Sequence, residues 1–146
     1  MTVRRMANGG FGGTEAADIL PYLQEVKPGG YAVHRVVLAK CQCGSTHFRL
    51  LLDEGDELAK TVCALCRNEA FVADAGEHWD GSLAEFFDCR CGASEFEAGL
   101  GLSIVDNEWV RWMSLGGRCV ACGQLSAPID WKSDLDLTEP DATRVG

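Results

Sequence analysis

The chain has 146 residues, with 13 basic against 22 acidic side chains and a formal charge of −9. That length allows one ordinary domain or two very small ones, and 47% hydrophobic residues excludes a wholly disordered chain. The acidic excess disfavours a phosphate-gripping protein, and apolar runs of only a few residues, such as Val36-Val37-Leu38-Ala39, exclude a membrane-spanning helix of about 20 residues.

In chain order, residues 1–30 form an N-terminal segment. Its start, MTVRRMANGGFGG, has two arginines with no apolar core after them, so no export signal is expected and the expected compartment is the cytoplasm. Residues 1–13 are glycine-rich and read as mobile, whereas Thr14 to Val26 read as a short helix interrupted by Pro21.

Residues 31–79 form the first of two similar units. Arg35 to Ala39 lead into Cys41-x-Cys43-Gly44; strands are expected at His47–Leu52 and Leu58–Val62 around the turn Asp53–Glu57. Cys63-x-x-Cys66 follows, then a third strand-like piece from Glu69 to Ala73, with Trp79 closing the unit. Three of the four cysteine pairs are followed by glycine, which suits a backbone folding back toward its sulfurs. Arg67 stands where the fourth glycine is due, so Asn68 is expected to take the left-handed position in a strained knuckle.

Residues 80–131 repeat the plan. Ser82-Leu83-Ala84-Glu85 fits either a capping box opening one helical turn or a strand entering Cys89. After Cys89-x-Cys91-Gly92, the residues Phe96, Ala98, Leu100, Leu102 and Ile104 alternate with smaller or polar ones, as in a half-buried strand. Asp106-Asn107-Glu108 is a turn, and Trp109–Met113 returns toward Cys119-x-x-Cys122-Gly123. Leu125 to Asp130 form the third strand, and residues 132–146 read as an acidic flexible tail.

The first cysteines of the two units are 48 residues apart (41 and 89), which marks an internal duplication. Cys41, Cys43, Cys63 and Cys66 form one set of four; Cys89, Cys91, Cys119 and Cys122 form the other. Two thiolate pairs at opposite ends of a hairpin supply the four sulfurs a tetrahedral zinc ion takes at about 2.3 Å. Two zinc ions change the formal charge by −8 + 4, to about −13. Four thiolates do not themselves exclude iron. A redox C-x-x-C lacks its βαβ setting, disulfides lack an export route, and saturated tetrahedra leave no position for catalytic water.

The pattern over residues 41–79 and 89–131 resembles two tandem zinc ribbons with rubredoxin-like knuckles, C-x-C-G opening and C-x-x-C closing. The resemblance implies a mainly β fold with a short N-terminal helical segment. It implies no single activity, because ribbons serve transcription factors, ribosomal proteins, enzymes and adaptors. The expected function is a non-enzymatic adaptor or accessory subunit that binds a protein partner; the alternative is a regulator of the transcription or nucleic-acid machinery. Direct nucleic-acid binding is disfavoured by 8 basic against 15 acidic side chains over residues 31–131, although Arg4 and Arg5, or Arg111 and Arg118, make candidate basic patches.

The longer second hairpin carries Trp109 and Trp112, which a regular strand points to opposite faces. One packs on the core, and the other, beside Arg111, is a candidate partner anchor. Alternatively, a bulge at Gly116-Gly117 or packing between the ribbons buries both. His34, His47 and His78 read as packing or surface residues, with His47 a fallback ligand for the first set. Asp53, Glu54, Asp56 and Glu57 crowd one turn without a full calcium-loop series.

Overall fold

The structure, a computed structural model, describes residues 3–6, 9–73, 75, 79–137 and 145. In chain order the elements are β1 (Arg4–Arg5), β2 (Phe11–Gly12), α1 (Ile19–Val26), β3 (Arg35–Leu38), β4 (Phe48–Asp53), β5 (Leu58–Cys63), β6 (Glu69–Phe71), β7 (Glu85–Phe86), β8 (Phe96–Val105), β9 (Trp109–Cys119) and β10 (Gln124–Asp136). The fold is mainly antiparallel β with one short helix. Ser82–Glu85 leads into a strand rather than a helical turn.

Each unit is a three-stranded meander, β4-β5-β6 and β8-β9-β10. The second hairpin closes where Asp106 (φ 56°) and Asn107 (φ 58°) are both left-handed, and Glu108 N–H donates to the Val105 carbonyl at 3.0 Å. Two successive residues at positive φ make a type I′ turn, whose twist matches that of paired strands. In the first hairpin the buried Asp53 carboxylate accepts the Asp56 N–H at 3.2 Å.

The two units meet where the repeat meets itself. Phe48 opens β4 and pairs with Phe96, its counterpart 48 residues on, which opens β8. Beyond that pair the strands diverge, and each gap is filled by the strand preceding the other unit's knuckle. On β8, Val37 of β3 lies opposite Leu100 and Leu38 opposite Gly99. On β4, Glu85 of β7 lies opposite Leu52 and Phe86 opposite Leu51, the same pairs displaced by the repeat spacing. The ladders end alike, with Ala39 N–H on the Ala98 carbonyl at 2.8 Å and Phe87 N–H on the Leu50 carbonyl at 2.9 Å. The molecule is therefore an internal pseudo-dimer with reciprocal strand exchange. A sequence boundary between residues 79 and 80 separates the cysteine sets but not the strands.

Phe48, Leu50 and Leu52 from the first unit join Phe96, Leu100, Leu102, Met113 and Leu115 from the second in one core. That accounts for one face of β8. The alternation predicts an open opposite face, yet Gly99, Gly101 and Ser103 are buried too. Helix α1 lies over the two glycines, with Ile19 above Gly99 and Leu23 above Gly101. Gly99 lies opposite Gly116 on β9 and Gly101 opposite Ser114. A Cβ on Gly116 would come within 2.7 Å of Ile19 Cγ2, and one on Gly101 within 2.8 Å of Leu23 Cδ1. The glycines are thus a floor that lets the helix approach the sheet.

Pro21 does not interrupt α1. It is the third helical residue, where no intrahelical N–H bond is due. Residues 9–13 are less loose than the composition suggests, since β1 pairs with β2 and β2 with the start of β10, Phe11 opposite Leu125. The expected tail from residue 132 begins later, because Lys132, Leu135 and Asp136 continue the ladder opposite Trp112, Val110 and Trp109. Residues 138–144 and 146 lie outside the described residues.

Candidate metal centres

Each opening pair sits in a tight turn. Cys41 N–H donates to the Ser45 carbonyl and Gly44 N–H to the Cys41 carbonyl, both at 2.9 Å; Cys89 with Ala93 and Gly92 with Cys89 repeat this at 2.8 and 2.9 Å. Each closing pair begins at the last residue of a strand, β5 or β9, and turns just past its second cysteine, with Arg67 N–H on the Cys63 carbonyl at 3.0 Å and Gly123 N–H on the Cys119 carbonyl at 2.9 Å. The position after each pair is left-handed: Gly44 (φ 95°), Gly92 (φ 92°), Gly123 (φ 81°) and Arg67 (φ 65°). Arg67 itself, not Asn68, adopts the glycine conformation, because the turn that aims N–H groups at the sulfurs fixes φ whatever residue stands there.

The hairpins bring the pairs together as two groups of four, Cys41, Cys43, Cys63, Cys66 and Cys89, Cys91, Cys119, Cys122. In each, all four sulfurs lie within 4.8 Å of one another. Cys41–Cys66 and Cys43–Cys63 are 3.6 Å apart, Cys89–Cys122 3.5 Å and Cys91–Cys119 3.6 Å. Bonds of about 2.3 Å in a tetrahedron put sulfurs roughly 3.8 Å apart, whereas a disulfide needs about 2.05 Å. The eight cysteines are free thiols at the separation a shared ion requires. The first group forms without His47, while His34 is exposed, its Nδ1 accepting the Ile104 N–H at 2.9 Å. His78 lies outside the described residues.

The thiols also show why a cation belongs there. The Cys66 backbone N–H, 3.5 Å from the Cys63 sulfur, leads the effects that lower that thiol to about 6, and the Ala93 N–H does the same for Cys91, to about 7. Cys41 feels a lowering pull from the Cys43 N–H, but burial and its neighbouring thiols outweigh it and push it up to about 12. Burial leads the rise of Cys89 to about 12 and also raises Cys122. Each bare cluster therefore holds an easily ionised thiol beside one that keeps its proton at neutral pH. A divalent ion removes the conflict, since its charge favours all four thiolates together. Both groups could hold a metal ion.

The tryptophans lie elsewhere. Ser103 faces Trp112 and Ile104 faces Val110, so Arg111 is an extra residue on β9. This bulge lies between the tryptophans, not at Gly116-Gly117, and it cancels their odd spacing. Opposite Val105 and Ser103, both share one face of the sheet, contrary to the regular-strand expectation. Trp112 is half-buried: Tyr31 stacks on it at 5.0 Å, its Nε1 donates to Asp130 Oδ2 at 2.9 Å, and a Cβ on Gly29 would lie 2.4 Å from its ring. The Arg111 guanidinium lies 4.8 Å from the Tyr31 ring centre, and its Nε donates to Ser103 Oγ. Trp109, 39% exposed, stays open near the hairpin tip.

Sequence reasoning missed Tyr31, Gly29 and Asp130, which reach Trp112 from outside the hairpin. Of the candidate basic patches, Arg118 is engaged, paired with Glu97 at 2.7 Å and bonded to the Gly13 carbonyl at 2.8 Å. Among the described residues, no helix is long and apolar enough to cross a membrane. Comparison with protein-family models, with curated proteins and with solved structures finds none that matches this chain.

Proposed function

We propose that this is a tandem zinc-ribbon protein whose two four-cysteine zinc centres are structural, and that it works without catalysis as an adaptor or accessory subunit binding a protein partner. The observation that carries the reading is the pair of four-sulfur clusters, each closed by two knuckles related by the internal repeat. Four thiolates fill a tetrahedron and leave no coordination position for a reacting water, which supports a structural rather than catalytic ion. Zinc fits a soft, all-sulfur donor set. A structural zinc contributes on the order of 10 kcal/mol or more of apparent binding free energy, which matters in units of roughly 50 residues or fewer.

The partner-binding part of the proposal rests on the second hairpin. With Trp112 held by Tyr31 and Asp130, and Arg111 engaged by Tyr31 and Ser103, the anchor narrows to Trp109. Affinity capture from the source cells with wild type and Trp109→Ala, both shown to hold two metal ions, tests this. A partner retained by wild type and lost in the variant supports the assignment; equal recovery contradicts it. The nucleic-acid alternative has less support, because Arg118 is occupied and the folded region is acidic.

A further inference from the structure

The internal repeat makes each metal centre a control for the other, and their closing knuckles differ. In the second, the N-terminal hairpin lies across the turn. Gly13 N–H donates to the Gly123 carbonyl at 2.9 Å, and Gly12 pairs with Gln124. Arg118 Nε donates to the Gly13 carbonyl at 2.8 Å while its Nη1 holds Glu97 at 2.7 Å, tying the hairpin to β8 and β9. The fit is close, since a Cβ on Gly123 would lie 2.7 Å from the Gly13 carbonyl oxygen.

At the matching place in the first knuckle stands Arg67, exposed and left-handed, and among the described residues it has no such bond to another segment. Leu65, which stands where the second knuckle has Ala121, is 73% exposed. Cys43 and Cys66 are both exposed, whereas in the second centre only Cys91 is, with Cys122 half-buried and Gly123 buried.

From these differences we propose that the Cys41, Cys43, Cys63, Cys66 centre is the exchangeable metal site of this protein, and that the N-terminal hairpin makes the other centre the retained one. The inference rests on the metal-binding reading above. A competing ligand meets an exposed opening-pair cysteine in both centres, Cys43 and Cys91, so the closing-pair cysteine, which must also swing off before the ion leaves, sets the difference. Cys66 can do so by opening one exposed turn that carries a strained non-glycine residue. Cys122 can do so only when the Gly13–Gly123 and Arg118–Gly13 bonds break as well, and two such bonds slow the opening about tenfold or more. The first centre is thus placed to give up its ion to a thiol or chelating acceptor while the second keeps the fold together.

The test uses the full chain carrying two zinc ions, mixed with a chromophoric zinc chelator, while samples are alkylated at intervals and the labelled cysteines identified by mass spectrometry. Zinc is expected to leave in two phases of one equivalent each, about tenfold or more apart in rate, with Cys41, Cys43, Cys63 and Cys66 labelled in the first. Arg118→Met is expected to speed the second phase and leave the first unchanged. A single phase, the reverse labelling order, or a second phase unmoved by Arg118→Met overturns the proposal. A chain that takes up no metal at all overturns the metal-binding reading with it, and that result is distinct because it appears in the starting metal content.

Discussion

Gly116 and Gly117 are adjacent on β9 and face opposite sides of the sheet, so alanine at each tests the packing of α1 with a built-in control. At Gly116 the new Cβ would lie 2.7 Å from Ile19 Cγ2 and 3.2 Å from Leu23 Cδ1. Ile19 is fully buried and its Cγ2 hangs directly from a β-branched carbon, so relief requires the helix to rise by roughly 1 Å. Overpacking of that kind costs about 1–3 kcal/mol. At Gly117 the nearest atoms, on Leu50 and Phe96, are 3.4 Å away, ordinary contact, and a lost glycine narrows the unfolded ensemble. Gly117→Ala should therefore be neutral or up to about 1 kcal/mol more stable. For a chain of this size each kcal/mol moves Tm by about 2–4 °C. Urea and thermal unfolding of the zinc-loaded variants give both values. If Gly116→Ala matches wild type, or Gly117→Ala is the worse of the two, the account of the glycine floor is wrong.

Three further outcomes are expected. Gly92 has φ 92° with open space where a Cβ would go, so Gly92→Ala should cost about 1–2 kcal/mol through the backbone alone, while Arg67→Gly in the matching turn should be neutral to about 1 kcal/mol stabilising; urea unfolding reads both. Thr61 is fully buried and among the described residues its Oγ1 has no hydrogen-bond partner, so Thr61→Val should raise stability by about 1 kcal/mol in the same assay. Acid should release the metal, because released thiols bind protons that the loaded centre does not, so the loaded state weakens as pH falls. If release unfolds the chain, Cys63 returns to an ordinary value near 8.5 and the first centre takes up about four protons per ion at neutral pH. If the emptied cluster keeps its shape, Cys63 at about 6 stays largely ionised at pH 7 and the first centre takes up fewer protons, a difference that proton-uptake titration resolves.

What the sequence showed and what it hid divide by range of interaction. The eight cysteines, the Asp106-Asn107 turn and the strands around them are set by residues within a few positions of one another, and they appear where the spacing places them. The left-handed Arg67 escaped because residue preference pointed to Asn68, while the knuckle's geometry fixes the position itself. Gly99 and Gly101 read as the open face of a half-buried strand and Gly116 as part of a bulge, since only the packed helix reveals that their lack of side chains is its docking surface. The exchange of β3 and β7 between units was equally hidden, because each strand pairs with residues more than thirty positions away. Even so, the repeat that predicts it is visible in CQCGSTHF and CRCGASEF, whose phenylalanines Phe48 and Phe96 meet at the centre of the molecule. The Arg111 bulge, which reverses the expected orientation of one tryptophan, has no marker in the residues around it.

The central claim is that two four-sulfur clusters each hold a metal ion and that the fold is lost when both ions are gone. Native mass spectrometry of the purified chain, followed by the same measurement and a far-ultraviolet spectrum after strong chelation, tests it directly. The predicted result is two zinc ions per chain, eight free thiols once they are removed, and loss of the β spectrum with the metal. A native mass without metal, cysteines joined in disulfides, or an unchanged spectrum after both ions are gone would contradict it.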